Sequence, residues 1–102
     1  VPGCIKNAID VGSRPPGKSV WSGKPAAVVS VTQGKLGAFG ANHVLRQSLV
    51  PLNMPALQQP EMYISQAADL FDEQGALKSD ATRELFTKFM GAFEHFVTLL
   101  LA

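Results

Sequence analysis

The sequence has 102 residues, 46% of them hydrophobic and 17% charged, which is typical of one globular domain with a single core. Nine basic and eight acidic residues give a net charge of +1 without a run of like charge, so we expect neither a nucleic-acid partner nor a membrane partner. The single cysteine, Cys4, excludes an internal disulfide, no metal-ligand spacing is present, and we predict a cytoplasmic protein.

The chain opens with a predicted helix over residues 2–12. Cys4, Ile5 and Ile9 recur at helical spacing there, so we expect Cys4 to pack on the apolar side of this helix. Residues 13–25 hold three prolines and two glycines, which predicts a loop. We interpret Trp21, within this loop, as a cover over the edge of a sheet.

A buried strand and a glycine-rich turn follow. Residues 26–31 are almost wholly apolar and rich in valine, which is typical of a strand covered on both faces of a parallel sheet. Gly34, Gly37 and Gly40 come directly after it. Ligands of open α/β sheets bind at the carboxyl ends of strands, and glycine lets a flat ligand approach the backbone. The turn therefore indicates either a ligand contact or simply a tight connection between strand and helix.

The second half predicts a helix, a short strand and a long helix. The first helix runs from Ala41 to about Val50, with one face formed by Ala41, Val44, Leu45, Ser48 and Leu49, and Pro51 ends it. A short strand within residues 53–64, around Ala56-Leu57 and Met62 to Ile64, and a turn at 72–75 come next. The last helix begins at Ser79 or Asp80, and its apolar stripe is Leu85, Phe86, Phe89, Phe93, Phe96, Val97 and Leu100.

The order helix, strand, helix, strand, helix predicts an α/β fold with a parallel sheet. Two strands cannot form a stable parallel sheet with both faces covered. We therefore expect a sheet that is visibly truncated or is completed by residues outside this chain.

The stretch GSRPPGKS, residues 12–19, has the letter pattern of a nucleotide-binding P-loop. A working P-loop connects a strand to a helix, whereas this segment follows a predicted helix and precedes a strand. Pro15 and Pro16 also remove two amide donors from the loop. We predict an exposed connection with Lys18 in solvent, and phosphate binding here is the weakest alternative.

Several segments, in this order and spacing, resemble the NAD(P)H-dependent FMN reductases, a flavodoxin-like family that includes quinone and chromate reductases. The matching pieces are Pro2-Gly3, Lys6 to Asp10, Gly23-Lys24-Pro25, Thr32-x-Gly34-x-x-Gly37, Leu45-Arg46, Gln59-Pro60-Glu61 and Phe71 to Gly75. Ile5, Val11 and Thr32 depart from the leucine, tryptophan and serine usual in the family, and Thr32 keeps the hydroxyl. The family's phosphate-binding segment and its proline-glutamate-tyrosine-asparagine segment are absent from this sequence.

The resemblance implies a flavodoxin-like three-layer α/β fold. Residues 1–102 would supply roughly the C-terminal half of one FMN reductase domain. The isoalloxazine ring of FMN would be bordered by Thr32, Gln33, Gly34 and Gly37. NAD(P)H would reduce the flavin, which would then reduce a quinone, a free flavin or another small acceptor. Because the cofactor carries this chemistry, we assign no catalytic acid or base and no metal ligand.

The resemblance also implies a homodimer or homotetramer, with His43, Arg46 and Glu61 at a possible subunit interface. A solvated carboxylate is an equally open interpretation of Glu61. A non-enzymatic flavodoxin-like module for binding or oligomerisation is the principal alternative function.

Overall fold

The computed structural model describes residues 1–101. The helices are α1, Gly3–Gly12, α2, Phe39–Leu49, and α3, Asp80–Leu101, and a 3₁₀ turn spans Ala67–Leu70. The strands β1, Ser30–Val31, and β2, Tyr63–Ile64, pair in parallel. This order and the parallel pairing confirm the predicted α/β class.

The strand predicted over residues 26–31 is only partly regular. A single parallel bridge joins Ala26 to Ala56, and the ladder resumes where Ser30 pairs with Tyr63. Partners are 30 positions apart at the bridge and 33 apart in the ladder, so the second segment carries three extra residues. Pro60 lies in this stretch and has no amide to donate, which helps to explain why pairing stops there.

The core lies between this second segment and α3. Its buried members are Leu57, Met62, Ile64 and Phe89. The centre of the predicted stripe on α3 is confirmed, because Phe86, Phe93 and Phe96 pack against this cluster. The ends of the stripe are more exposed than predicted, since Leu85 is 36% exposed and Leu100 is 45% exposed. Helix α3 has 22 residues and is about 33 Å long, so its two ends extend beyond the two-residue strands.

Helix α1 lies at the periphery. None of its residues is buried, and Cys4 is exposed, so the predicted packing of Cys4 is wrong for residues 1–101. Trp21 covers the end of α1 rather than a sheet edge: its indole Nε1 donates to the Ile9 carbonyl at 2.9 Å. A Cβ on Gly12 would lie 2.6 Å from that nitrogen, so Gly12 is needed for the indole to pack.

Helix α2 positions the candidate site. It ends at Leu49, ahead of Pro51, as predicted. Its buried residues are Asn42 and Leu49, whereas Val44 is 50% exposed. The inward face is therefore rotated from the predicted one and includes a polar side chain.

The connection to α3 follows the predicted turn chemistry. The Asp72 carboxylate accepts hydrogen bonds from the amides of Gln74 and Ala76, each 2.9 Å long. Ser79 is the residue that caps α3, because its hydroxyl accepts from the Thr82 amide. Among residues 1–101, no helix has both the length and the hydropathy needed to cross a bilayer.

The sheet formed by residues 1–101 has only two strands. Val29 and Val31, on the predicted buried strand, are 40% and 59% exposed. The radius of gyration is 15.4 Å, whereas a compact chain of this length has about 13 Å. Among these residues the sheet is a single short parallel pair, and its completion by residues outside this chain stays a prediction.

Candidate functional site

The glycine-rich turn lies at the carboxyl end of β1, beside the segment that leaves β2. The Gln66 amide donates to the Gly34 carbonyl at 2.9 Å, and the Ala67 amide donates to the Thr32 carbonyl at 3.1 Å. The Gln33 side chain forms a third hydrogen bond between these segments, in which its Oε1 accepts from the Ala68 amide at 3.0 Å. These bonds hold the first half of the turn against residues 66–68.

The same turn presents free backbone donors to solvent. Gln33, Gly34, Lys35 and Leu36 are exposed. Within the part of the chain that the structure describes, the amides of Gln33, Lys35 and Leu36 donate to no protein group. Such a row of amides can donate to the oxygens and ring nitrogens of a planar heterocycle at the strand end. The arrangement fits a flavin ring.

The two predicted ring-bordering glycines have different surroundings. A Cβ on Gly34 would meet only the Thr32 hydroxyl oxygen, at 3.7 Å, so this side of the backbone is open. A Cβ on Gly37 would lie 2.6 Å from the Cβ of Tyr63, and the φ angle of Gly37 is +62°. Gly34 can therefore admit a ligand, whereas Gly37 is required by the packing of Tyr63.

Thr32 helps to shape the turn. Its hydroxyl oxygen accepts a hydrogen bond of 3.2 Å from the Gly34 amide. The hydroxyl proton remains free to point outward, because this bond uses the oxygen only as an acceptor. Thr32 can therefore order the turn and donate to a ligand at the same time.

A cluster of aromatic and charged side chains lies behind the turn, centred on Tyr63. The Tyr63 hydroxyl and His43 Nε2 share a hydrogen bond of 2.7 Å. The Phe39 ring lies 4.2 Å from the His43 ring and 5.1 Å from the Tyr63 ring, centroid to centroid. Removal from water raises the pKa of Tyr63 above its ordinary value, the Glu61 carboxylate raises it further, and Arg46 opposes both.

Arg46 lies deeper on the same face of α2. Its Nε donates to Asn42 Oδ1 at 2.8 Å, and its Nη1 donates to the Leu57 carbonyl at 3.4 Å. Among the described residues, no group accepts a hydrogen bond from its buried Nη2. The three predicted interface residues His43, Arg46 and Glu61 thus lie around one tyrosine.

Sequence reasoning missed Tyr63, Asn42 and Ser30. Asn42 carried a usable signal, because it precedes Leu45 and Leu49 at spacings of three and seven on one helical face. A polar residue on such a face indicates either a partner on the sheet or a functional group. Tyr63 carried none, since an aromatic residue in a short strand is common in any core.

The segment with the P-loop pattern is an exposed connection, as predicted. Lys18 is exposed. Backbone carbonyls already accept from the amides of Ser13, Arg14 and Lys18, at 2.9 to 3.2 Å. With Pro15 and Pro16 lacking amides, too few free donors remain to cradle a phosphate.

An open cleft of about 680 Å³ lies beside this segment, between α1 and the end of α2. It is larger than the groove of about 250 Å³ next to Tyr63. Its lining charges are partly satisfied, because Lys6 and Asp10 form an ion pair of 2.7 Å. The turn is the better candidate, since the free donors lie there.

Comparisons with known proteins identify the family. The profile of the family described as NADPH-dependent FMN reductase matches residues 1–69. A quinone reductase of Pseudomonas putida is 61% identical over 99 residues, which are 97% of this chain and 53% of that protein. An NAD(P)H-dependent FMN reductase of Pseudomonas aeruginosa is 44% identical over 98 residues, which are 96% of this chain and 52% of that protein.

A solved structure shares the fold. FerB, a flavoenzyme NAD(P)H:(acceptor) oxidoreductase from Paracoccus denitrificans, superposes with a TM-score of 0.87 at 35% identity. The match covers 95% of this chain and 53% of the FerB chain. The chain thus spans about half the length of the relatives it matches. From the family profile and these identities, we conclude that the chain belongs to the NADPH-dependent FMN reductase family and has a flavodoxin-like fold.

Proposed function

We propose that this chain is the C-terminal portion of an FMN-dependent oxidoreductase that moves electrons from NAD(P)H to a quinone, a flavin or another small acceptor. The observation that carries the proposal is a row of exposed amides beside the open face of Gly34. These amides, at Gln33, Lys35 and Leu36, are unpaired within residues 1–101. The names of relatives support it, since they include quinone reductases and an FMN reductase.

FMN, when bound, supplies the redox chemistry by accepting a hydride from NAD(P)H and passing electrons to the acceptor. The residues of this chain bind and orient it. The free amides of Gln33, Lys35 and Leu36 would donate to the ring edge, the Thr32 hydroxyl would add a donor, and Gly34 would leave room for the ring. Gly37 supports this border indirectly by letting Tyr63 pack beneath the turn.

The exposed side of the sheet supports the proposed division of one domain. Val29 and Val31 are apolar, lie on the predicted buried strand and are half exposed in residues 1–101. A preceding portion of the same domain would cover them and would supply the phosphate site. The roughly half-length match to relatives supports this division.

We further propose a cytoplasmic homodimer or homotetramer whose interface includes His43, Arg46 and Glu61. A buried guanidinium nitrogen without an acceptor costs free energy, and an acceptor from a second subunit would satisfy Arg46 Nη2. Phe39, which packs on His43, is 52% exposed and would add apolar area to the contact.

The test uses the full-length protein that carries this chain. We expect it to release FMN on denaturation and to oxidise NAD(P)H in the presence of a quinone. Gly34→Val should lower FMN occupancy and reductase activity by more than tenfold, about 1.4 kcal/mol of binding, because a side chain there intrudes on the ring. Lys18→Ala, in the excluded loop, is the control and should change neither.

The alternative is a non-enzymatic flavodoxin-like module for binding or oligomerisation. It predicts no NAD(P)H oxidation for any quinone or flavin acceptor. A full-length protein that releases no FMN on denaturation would contradict the oxidoreductase and favour this alternative. Loss of ATP binding on Lys18→Ala would instead restore the phosphate site at residues 12–19.

A further inference from the structure

Asn42, near the start of α2, is a buried polar residue with 1% of its surface exposed. Its side-chain oxygen accepts from Arg46 Nε at 2.8 Å. Its Nδ2 donates to the Ser30 hydroxyl at 3.1 Å and to the Met62 carbonyl at 3.4 Å. Both protons of the Asn42 side-chain amide are thus used. Through them, Asn42 connects α2 to the segment of β1, at Ser30, and to the segment of β2, at Met62.

Ser30 extends this network to the glycine turn. Its hydroxyl accepts from Asn42 and donates to the Gly37 carbonyl at 2.5 Å. Within residues 1–101, the Gly37 carbonyl accepts no backbone hydrogen bond. The Ser30 hydroxyl is therefore what orients the peptide that follows Gly37.

The orientation of that peptide matters because the turn changes direction there. Gly37 and Ala38 both have positive φ angles, +62° and +56°. Two consecutive left-handed residues define where residues 33–36 lie relative to the start of α2. For Ala38, which has a Cβ, this backbone conformation persists only where the surroundings hold it.

We propose that Asn42, acting through Ser30, is a positioning residue for the flavin site. It fixes the Ser30 hydroxyl that holds the Gly37 carbonyl, and so helps to set where the free amides of Gln33, Lys35 and Leu36 lie. Asn42 itself is buried beneath the turn and touches no ligand. This inference rests on the proposed function, since it assumes that FMN lies on the turn.

The experiment compares variants of the full-length FMN-loaded protein. Ser30→Ala removes the hydroxyl that donates to Gly37 and accepts from Asn42, while Asn42 keeps its bonds to Arg46 and Met62. Asn42→Asp keeps the acceptor for Arg46 but loses the donors. We expect either change to weaken FMN binding about three- to tenfold, the worth of one lost hydrogen bond, and to shift the flavin absorption band and reduction potential.

The matched control is Ser48→Ala on the same helix, whose hydroxyl donates only to the Val44 carbonyl within α2. It should leave FMN affinity, spectrum and potential unchanged. Ser30→Thr keeps the hydroxyl and should restore wild-type values. Phe93→Leu on α3, which weakens folding away from the turn, shows whether lost stability alone moves the flavin signals; we expect that it does not.

The possible results distinguish a failure of the proposed function from a failure of the positioning role alone. If wild-type protein binds no FMN, the proposed function fails and this inference fails with it. If wild-type protein binds FMN while Ser30→Ala and Asn42→Asp bind it equally well with unchanged spectra, only the positioning role is overturned. The same conclusion follows if Phe93→Leu moves the flavin signals as much as Ser30→Ala at equal loss of unfolding free energy.

Discussion

Gly34 and Gly37 belong to one turn but have opposite requirements. At Gly37, an added Cβ would press on the Tyr63 backbone carbon at 2.8 Å, and the φ angle is positive. We expect Gly37→Ala to lower the free energy of unfolding by roughly 2–4 kcal/mol. Gly34→Ala is the matched control and should cost less than about 1 kcal/mol, because only a hydroxyl at 3.7 Å faces it. Urea denaturation of the two full-length variants would measure the difference. Equal losses of unfolding free energy would contradict the distinct roles of Gly34 and Gly37.

The raised pKa of Tyr63 predicts that the stability of the protein changes in alkaline solution. Removal from water and the Glu61 carboxylate both raise its pKa from the ordinary value of 10.0. The folded protein then retains the phenol proton at pH values where the unfolded chain releases it. The free energy of unfolding should therefore fall as the pH rises above about 10 and through the folded pKa.

Substitution of Glu61 tests the electrostatic part of this shift. Glu61→Gln removes a negative charge and should lower the pKa of Tyr63. Phenolate absorbance against pH, taken as the difference between the protein and its Tyr63→Phe variant, isolates this one group. Glu94→Gln, an exposed change on α3, should not alter the titration. An unchanged pKa in Glu61→Gln would mean that the carboxylate does not influence the phenol.

At the scale of elements, local patterns predicted the helices well and the strands poorly. Residues 2–12 were predicted as a helix and Gly3–Gly12 form it, because helical spacing and backbone bonding are both local. The strand from Ala26 was predicted as continuous, but pairing depends on a second segment whose three extra residues no local pattern reveals. The inward face of α2 was misjudged for the same reason, since Asn42 is buried only because Ser30 and Met62 meet it.

One part of the candidate site was predictable from the sequence and another part was not. The turn was predictable, because three glycines after a valine-rich strand are visible in the sequence. The distinct tasks of Gly34 and Gly37 were not, since they depend on Tyr63, 26 positions beyond Gly37. Long-range contacts decide which glycine of this recognisable motif leaves an open face and which one is needed for packing.

Helix α3 predicts a graded response to truncation of its phenylalanines. Phe89 is 3% exposed, and Phe89→Ala should lower the free energy of unfolding by roughly 3–5 kcal/mol. Phe93 packs against the same cluster but is only partly buried, so Phe93→Ala should cost less, roughly 2–3 kcal/mol. Met90→Ala, at a site 56% exposed on the same helix, is the control and should cost under about 1 kcal/mol. Thermal or urea unfolding would rank the three variants, and a large loss for Met90→Ala would show that the other face is covered.

At the scale of the whole molecule, apolar exposure is the dominant feature. Val29, Val31, Val11 and Leu36 are between 40% and 81% exposed, and the radius of gyration exceeds that of a compact chain of this length. The free energy of unfolding of the isolated 102-residue chain should therefore be low.

We expect the 102-residue chain alone to bind FMN at least a hundredfold more weakly than the full-length protein, about 2.7 kcal/mol. The turn amides are present in both, but only the longer protein would hold the phosphate. Flavin titrations of both proteins, followed by flavin absorbance, would measure the ratio. Equal affinity would contradict the proposed division of the domain.

The packing of Trp21 on Gly12 also has a practical consequence. Trp21 is the only tryptophan in this sequence, and its indole is hydrogen-bonded to the end of α1, whereas the core lies against α3. Its emission therefore reports whether α1 is docked, and amide protection in α3 reports the core. If α1 opens before the core does, the emission should change at a lower urea concentration than the loss of amide protection, and the chain would contain two units of separate local stability.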